Sequence, residues 1–137
     1  MKMHLRPLLL PAVFLALAPA ARAFDLTVEV LDARSGQGMV AGALYEEADW
    51  MRTPMQGELQ LAAARSVLRY RNLPAGRYAV AVYHDENNNG KLDSNRLGLP
   101  VERYGFSRDA RGIMGPPSFA DAAFDLQADT TITVHLR

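Results

Sequence analysis

The sequence predicts an all-β domain, an antiparallel Greek-key sandwich of about seven strands with a long ordered loop system over residues 85–122. Three observations carry this. Apolar residues recur at every second position in several short runs, the period of a strand with one buried face. Gly, Pro, Asn and Asp separate those runs at roughly hairpin spacing. No run keeps a 3.6-residue apolar period over helix length.

The elements follow in chain order. Residues 24–33 (FDLTVEVLDA) place Phe24, Leu26, Val28 and Val30 on one face. A turn at 34–38 leads to a second strand at 39–45 (MVAGALY), in which Gly42 marks a bulge or a close approach. Residues 46–55 read as loop, and 59–64 fit a short helix or a strand equally. Residues 66–72 alternate again, the Leu73-Pro74-Ala75-Gly76 turn follows, and 77–84 (RYAVAVYH) form a strand that is apolar on both faces, as a central strand would be. Residues 123–126 and 130–136 close the domain. The Arg65, Arg69, Arg71 and Arg77 side chains cluster around what reads as one hairpin, a solvated face paired with acids.

Residues 85–122 break the alternation. A connection this long is functional or disordered in most compact domains. Leu92, Leu97, Leu99, Val101, Tyr104, Phe106, Ile113 and Phe119 give it anchors that a disordered linker does not need. It therefore reads as ordered loops packed over the end of the sandwich.

The chain has 137 residues, with 15 basic and 15 acidic side chains and no cysteine. That length suits one domain. Balanced charge argues against a nucleic-acid partner. The missing cysteines exclude disulfides, thiolate metal sites and a cysteine nucleophile. At the N-terminus, Lys2 and Arg6 precede an apolar run at 8–17, and Ala21-Arg22-Ala23 fits a small-residue cleavage site. We read residues 1–23 as a secretory signal cleaved before Phe24. The run is too short to span a bilayer. Cleavage leaves 12 basic against 15 acidic side chains in one domain, 24–137, with no membrane span. A periplasmic or secreted bacterial protein fits this pattern.

Residues 85–93 have the form D-x-N-x-N-G-x-x-D. Loops of this type converge oxygens from positions 1, 3 and 5, turn at a glycine, and add a backbone carbonyl at 7 and a group at 9. These fall on Asp85, Asn87, Asn89, Gly90, Lys91 and Asp93. Arg96 stands where a bidentate glutamate would complete the set, so Glu102 is the candidate remaining ligand. All-oxygen donors suit Ca2+, bound weakly with so few carboxylates. An Asn-rich turn closed by its own side chains explains the same residues, and both readings stand.

Tyr83, His84, Arg103, Tyr104 and Phe106 lie near this loop and form the candidate ligand-binding set, for a small molecule or a carbohydrate. Trp50 and Tyr45 could extend an aromatic platform, although aromatic residues of a small β-domain more often anchor core and loops. His84 and His135 lack a third ligand at zinc spacing. No serine sits in a nucleophile elbow. The chain thus reads as a non-enzymatic binding or interaction module for a protein or carbohydrate. A small-ligand-binding periplasmic protein is the alternative, and a small hydrolase the least supported.

A series of motifs resembles a known family. Leu73-Pro74-Ala75-Gly76-Arg77-Tyr78, His84-Asp85-Glu86-Asn87, Gly90-Lys91-Leu92-Asp93, Gly98-Leu99-Pro100, Glu102, Tyr104-Gly105-Phe106-Ser107 and Pro117-Ser118-Phe119-Ala120-Asp121-Ala122 resemble domain of unknown function family 2141, a set of exported bacterial proteins. The resemblance implies export and assigns no activity. The LPAGRY turn also resembles a hairpin of prealbumin-like and collagen-adhesin B-type sandwiches, which implies that fold by analogy. Hydroxyisourate hydrolases of the prealbumin-like class end in Tyr-Arg-Gly-Ser, whereas residues 134–137 here read Val-His-Leu-Arg.

Overall fold

The computed structural model describes residues 11–18 and 21–137. Of the expected leader, residues 1–10, 19 and 20 lie outside the described residues. The rest form eight strands: β1 (Ala23–Leu31), β2 (Met39–Tyr45), β3 (Gln56–Leu61), β4 (Arg65–Pro74), β5 (Gly76–Asp85), β6 (Tyr104–Phe106), β7 (Phe124–Leu126) and β8 (Thr130–His135). The one α-helix among the described residues, α1 (Phe119–Ala122), is a single turn in which the Ser118 hydroxyl accepts from the Asp121 N–H at 3.2 Å.

The strands make two sheets. One has the order β4-β1-β8, the other β3-β2-β5-β6 with β7 also on β5. Because β1 alternates, Leu26, Val28 and Val30 all turn inward and are buried, facing Val40, Leu44, Val80 and Val82 of the other sheet. Gly42 is a point of close approach between sheets, since a Cβ there would collide with the Leu68 side chain and lie 2.7 Å from the Tyr70 hydroxyl. The sheets also join at a corner. Tyr104 donates its N–H to the Arg137 carbonyl (3.2 Å), and Arg137 donates back to Tyr104 (2.9 Å).

Three features differ from the sequence expectation, and one reading left open is decided. The strands among the described residues number eight rather than about seven, because β6 is a three-residue strand inside the 85–122 loops. One pair is parallel: β8 runs beside β1 with Leu26 opposite Thr130 and Leu31 opposite His135. The ambiguous stretch 59–64 is strand only as far as Leu61, as the second half of β3, an edge strand paired to β2. And β4 and β5 are not a hairpin. They lie in different sheets, with Ala75 between them as a corner, so the arginines of β4 do not meet Arg77 across a ladder.

Candidate functional site

The register of the five-stranded sheet builds a trough on the face turned away from the core. Gly57 of β3 is opposite Ala43 of β2, Ala43 is opposite Ala81 of β5, and Ala81 is opposite Phe106 of β6. Three small residues in a row make a floor, and the phenylalanine closes one end. The next row reads Leu59, Ala41, Tyr83, Tyr104 across the same strands and forms one wall. Tyr45, Met51 and Leu92 complete a groove of about 500 Å³. Antiparallel sheets with one free face commonly cover it with polar side chains; the polar groups here are Glu58 and the tyrosine hydroxyls.

Aromatic packing stiffens the Phe106 end. Trp50 meets Tyr45 (ring centroids 5.3 Å), Phe106 (6.0 Å) and Phe119 (6.0 Å), all edge-on, and its indole N–H donates to the Pro117 carbonyl at 2.9 Å. This ties the loop before α1 to the sheet. Edge-on rings pack well but present no shared flat platform.

The 85–93 loop adjoins the groove through Leu92. Asp85, Asp93 and the neighbouring Glu102 all accept hydrogen bonds within it. Asp85, buried at the end of β5, accepts from the Asn89 N–H (3.1 Å) and the Gly90 N–H (2.8 Å). Glu102, also buried, accepts from the Glu86 N–H (2.7 Å) and the Asp93 N–H (2.9 Å), and so clamps both ends of the loop. Asp93 accepts the side-chain amides of Asn87 (2.7 Å) and Asn89 (2.6 Å). Those amides, Asn89 foremost, hold the Asp93 carboxyl below its ordinary pKa. Asn87 and Asn89 close Asx turns on the N–H groups of Asn89 (3.3 Å) and Lys91 (3.2 Å). Gly90 takes φ +78°, which its lack of a side chain permits. Among the described residues, no group of three His, Cys, Asp or Glu side chains is arranged to hold a metal ion.

The family model described as "Uncharacterized protein conserved in bacteria (DUF2141)" matches residues 28–134. The chain belongs to that family. The matched span begins within β1 and ends within β8, so the groove, the loop and all but the ends of β1 and β8 fall inside the DUF2141 match. No curated protein and no solved structure matches the chain significantly.

The structure brings together some of the sequence-predicted residues and separates others. Tyr83, Tyr104 and Phe106 line the groove. His84 does not reach it. Its ring is fully buried on the opposite face, with Nε2 2.6 Å from the Gln37 carbonyl and Nδ1 accepting from the Arg34 N–H at 3.3 Å. Arg103 reaches away to the Asp32 carbonyl at 2.8 Å. Asp85, Asn87, Asn89, Asp93 and Glu102 share one network, to which Lys91 contributes its backbone N–H. Sequence reasoning missed the groove floor of Gly57, Ala43 and Ala81. The alternation of Ala79, Ala81 and Tyr83 signals a free face with small residues, but the row becomes visible only once β2 and β3 are paired to β5.

Proposed function

We propose that the protein is an exported, non-enzymatic binding module that holds an apolar ligand in the trough of its five-stranded sheet. The observation that carries this reading is the floor of Gly57, Ala43 and Ala81 between walls of leucine and tyrosine. Contiguous apolar surface is seldom left bare on monomeric proteins, and a 500 Å³ hollow is within the range of small-ligand sites. The lining favours an apolar ligand over a carbohydrate, which needs convergent polar groups. Titration with a neutral solvatochromic naphthylamine probe tests it. The native protein should enhance the probe's fluorescence, and Ala81→Leu, which fills the trough on the face turned away from the core between the sheets, should weaken binding by about tenfold or more while the thermal midpoint reports any disturbance of the Trp50–Phe106–Phe119 cluster that Ala81 packs against. Equal binding by the variant overturns the reading.

The 85–93 loop supports a compatible second reading: Ca2+ held by Asp85, Asn87, Asn89, the Lys91 carbonyl and Asp93, with Glu102 completing the set. The D-x-N-x-N-G spacing and two buried carboxylates support it. The ion would have to draw the Asn87 and Asn89 amides off Asp93 and turn their oxygens inward. Thermal unfolding in EDTA and in millimolar Ca2+ tests it, since a ligand at 100 times its Kd stabilises by about 2.7 kcal/mol. A rise in midpoint of several degrees, absent in Asp85→Ala, is expected. No rise, or an equal rise in the variant, leaves the loop as an Asx-braced turn.

A further inference from the structure

Two loop tips beside the groove point large apolar side chains into solvent. Leu97 is 83% exposed, and Ile113 and Met114 are almost wholly exposed. The first tip is firmly built. Asn95 Oδ1 accepts from the N–H groups of Leu97 (2.9 Å) and Leu99 (3.0 Å), Asn95 N–H donates to the Leu99 carbonyl (2.8 Å), and Gly98 N–H donates to the Asn95 carbonyl (3.0 Å). A bridge between Ser94 and Pro100 closes its base. Leu97 is therefore held outward by the backbone around it. The second tip faces the first across a hollow of about 360 Å³, with Gly98 and Leu99 on one side and Gly112 and Met114 on the other. Each tip carries an arginine next to or near its apolar residues, Arg96 and Arg111. Neither arginine has an ion-pair partner among the described residues. Neither 94–101 nor 110–116 contains an acid.

We propose that these two tips dock the protein onto an anionic lipid surface. These exposed side chains, Leu97 on one and Ile113 and Met114 on the other, project from separate tips rather than from one packed face. A lipid interface accepts single projecting chains without a matching pocket, and guanidinium groups beside them meet the headgroup charge. The inference stands whether or not the trough binds a ligand. Its geometric consequence is that the hollow between the tips, which shares Met51, Leu92, Tyr104 and Phe106 with the trough, opens toward the lipid.

The test uses the protein as an expressing bacterium processes it, with vesicles of phosphatidylcholine alone or mixed with phosphatidylglycerol. The native protein should cosediment with the mixed vesicles. Leu97→Ser with Ile113→Ser should lower partitioning by about tenfold or more, and Arg96→Gln with Arg111→Gln by about fivefold per charge, with a flatter salt dependence. All these side chains are exposed, so the thermal midpoint should not move. Because the chain has no cysteine, Leu97→Cys gives a unique labelling site. An environment-sensitive fluorophore there should shift to the blue on mixed vesicles, while the same label at Gln127→Cys should not. Equal partitioning of the native and serine proteins, equal binding to both vesicle types, or an unshifted Leu97 label overturns the proposal. Capture of a protein partner by the native chain alone, with no vesicle binding, overturns it in favour of a protein docking site.

Discussion

Asp93 lies near the surface, yet both its carboxylate oxygens are occupied by asparagine amides. Those amides stabilise the charged form, which is why its pKa falls below the ordinary carboxylate value. The linkage has a definite sign. A carboxyl whose pKa is lower in the folded loop adds stability above its unfolded value, near 3.8, and that stability is lost as pH falls through the lowered value. Protection of the Asn89 and Lys91 amides against exchange, taken relative to the intrinsic rate at each pH, should therefore fall below about pH 4, ahead of global unfolding, and Asp93→Asn should remove that acid step. Unchanged protection across this range would mean that Asp93 does not brace the loop. His84 shows how far residue-level reading reaches. It continues the inward face of Tyr78, Val80 and Val82 by simple alternation, so its burial was legible in the strand pattern. Its position beside Asp85 suggested a ligand role that the alternation already opposed. Arg103 carried no comparable signal, because its partner is the Asp32 carbonyl, 71 residues away.

Each long strand carries its own evidence. The spans expected at 39–45, 66–72 and 77–84 match β2, β4 and β5 to within a residue or two at each end, because period-two alternation is local and strong. The short β6 was not legible. Three residues cannot display a period, and Tyr104–Phe106 becomes a strand only by pairing with Ala81–Tyr83 of β5. Gly105 holds β6 against β8: a Cβ there would sit 2.6 Å from the His135 carbonyl and 2.9 Å from the Val134 side chain. One of these contacts is backbone, so the strand must move to accept any larger residue. Gly105→Ala should cost about 1–3 kcal/mol by chemical denaturation and weaken probe binding, because Tyr104 and Phe106 shift with the strand. An unperturbed variant would show that β6 floats free of β8. The Leu73–Gly76 segment misled for a related reason. A Pro-Ala-Gly turn serves a hairpin or a corner between sheets equally well, and only the pairing of β4 with β1 and β5 with β2 decides.

At the scale of the molecule, the fold class was legible and the strand order was not. Placing β8 parallel to β1 joins residues more than 100 positions apart, and alternation names no partner. The same limit hid the trough, whose floor comes from three different strands. Once paired, the molecule divides its labour. Inward faces supply the core, the outer face of one sheet supplies the trough, and the 85–122 loops supply its rim through Leu92, Tyr104 and Phe106. The central claim is that this trough is a ligand site, and amide chemical-shift mapping of the isotopically labelled protein during titration with the naphthylamine probe tests it most directly. Shifts concentrated at Ala41, Ala43, Gly57, Ala81, Tyr83 and Phe106, and lost in Ala81→Leu, are the predicted result. Shifts scattered over the surface, or centred on the β4-β1-β8 sheet, would contradict it.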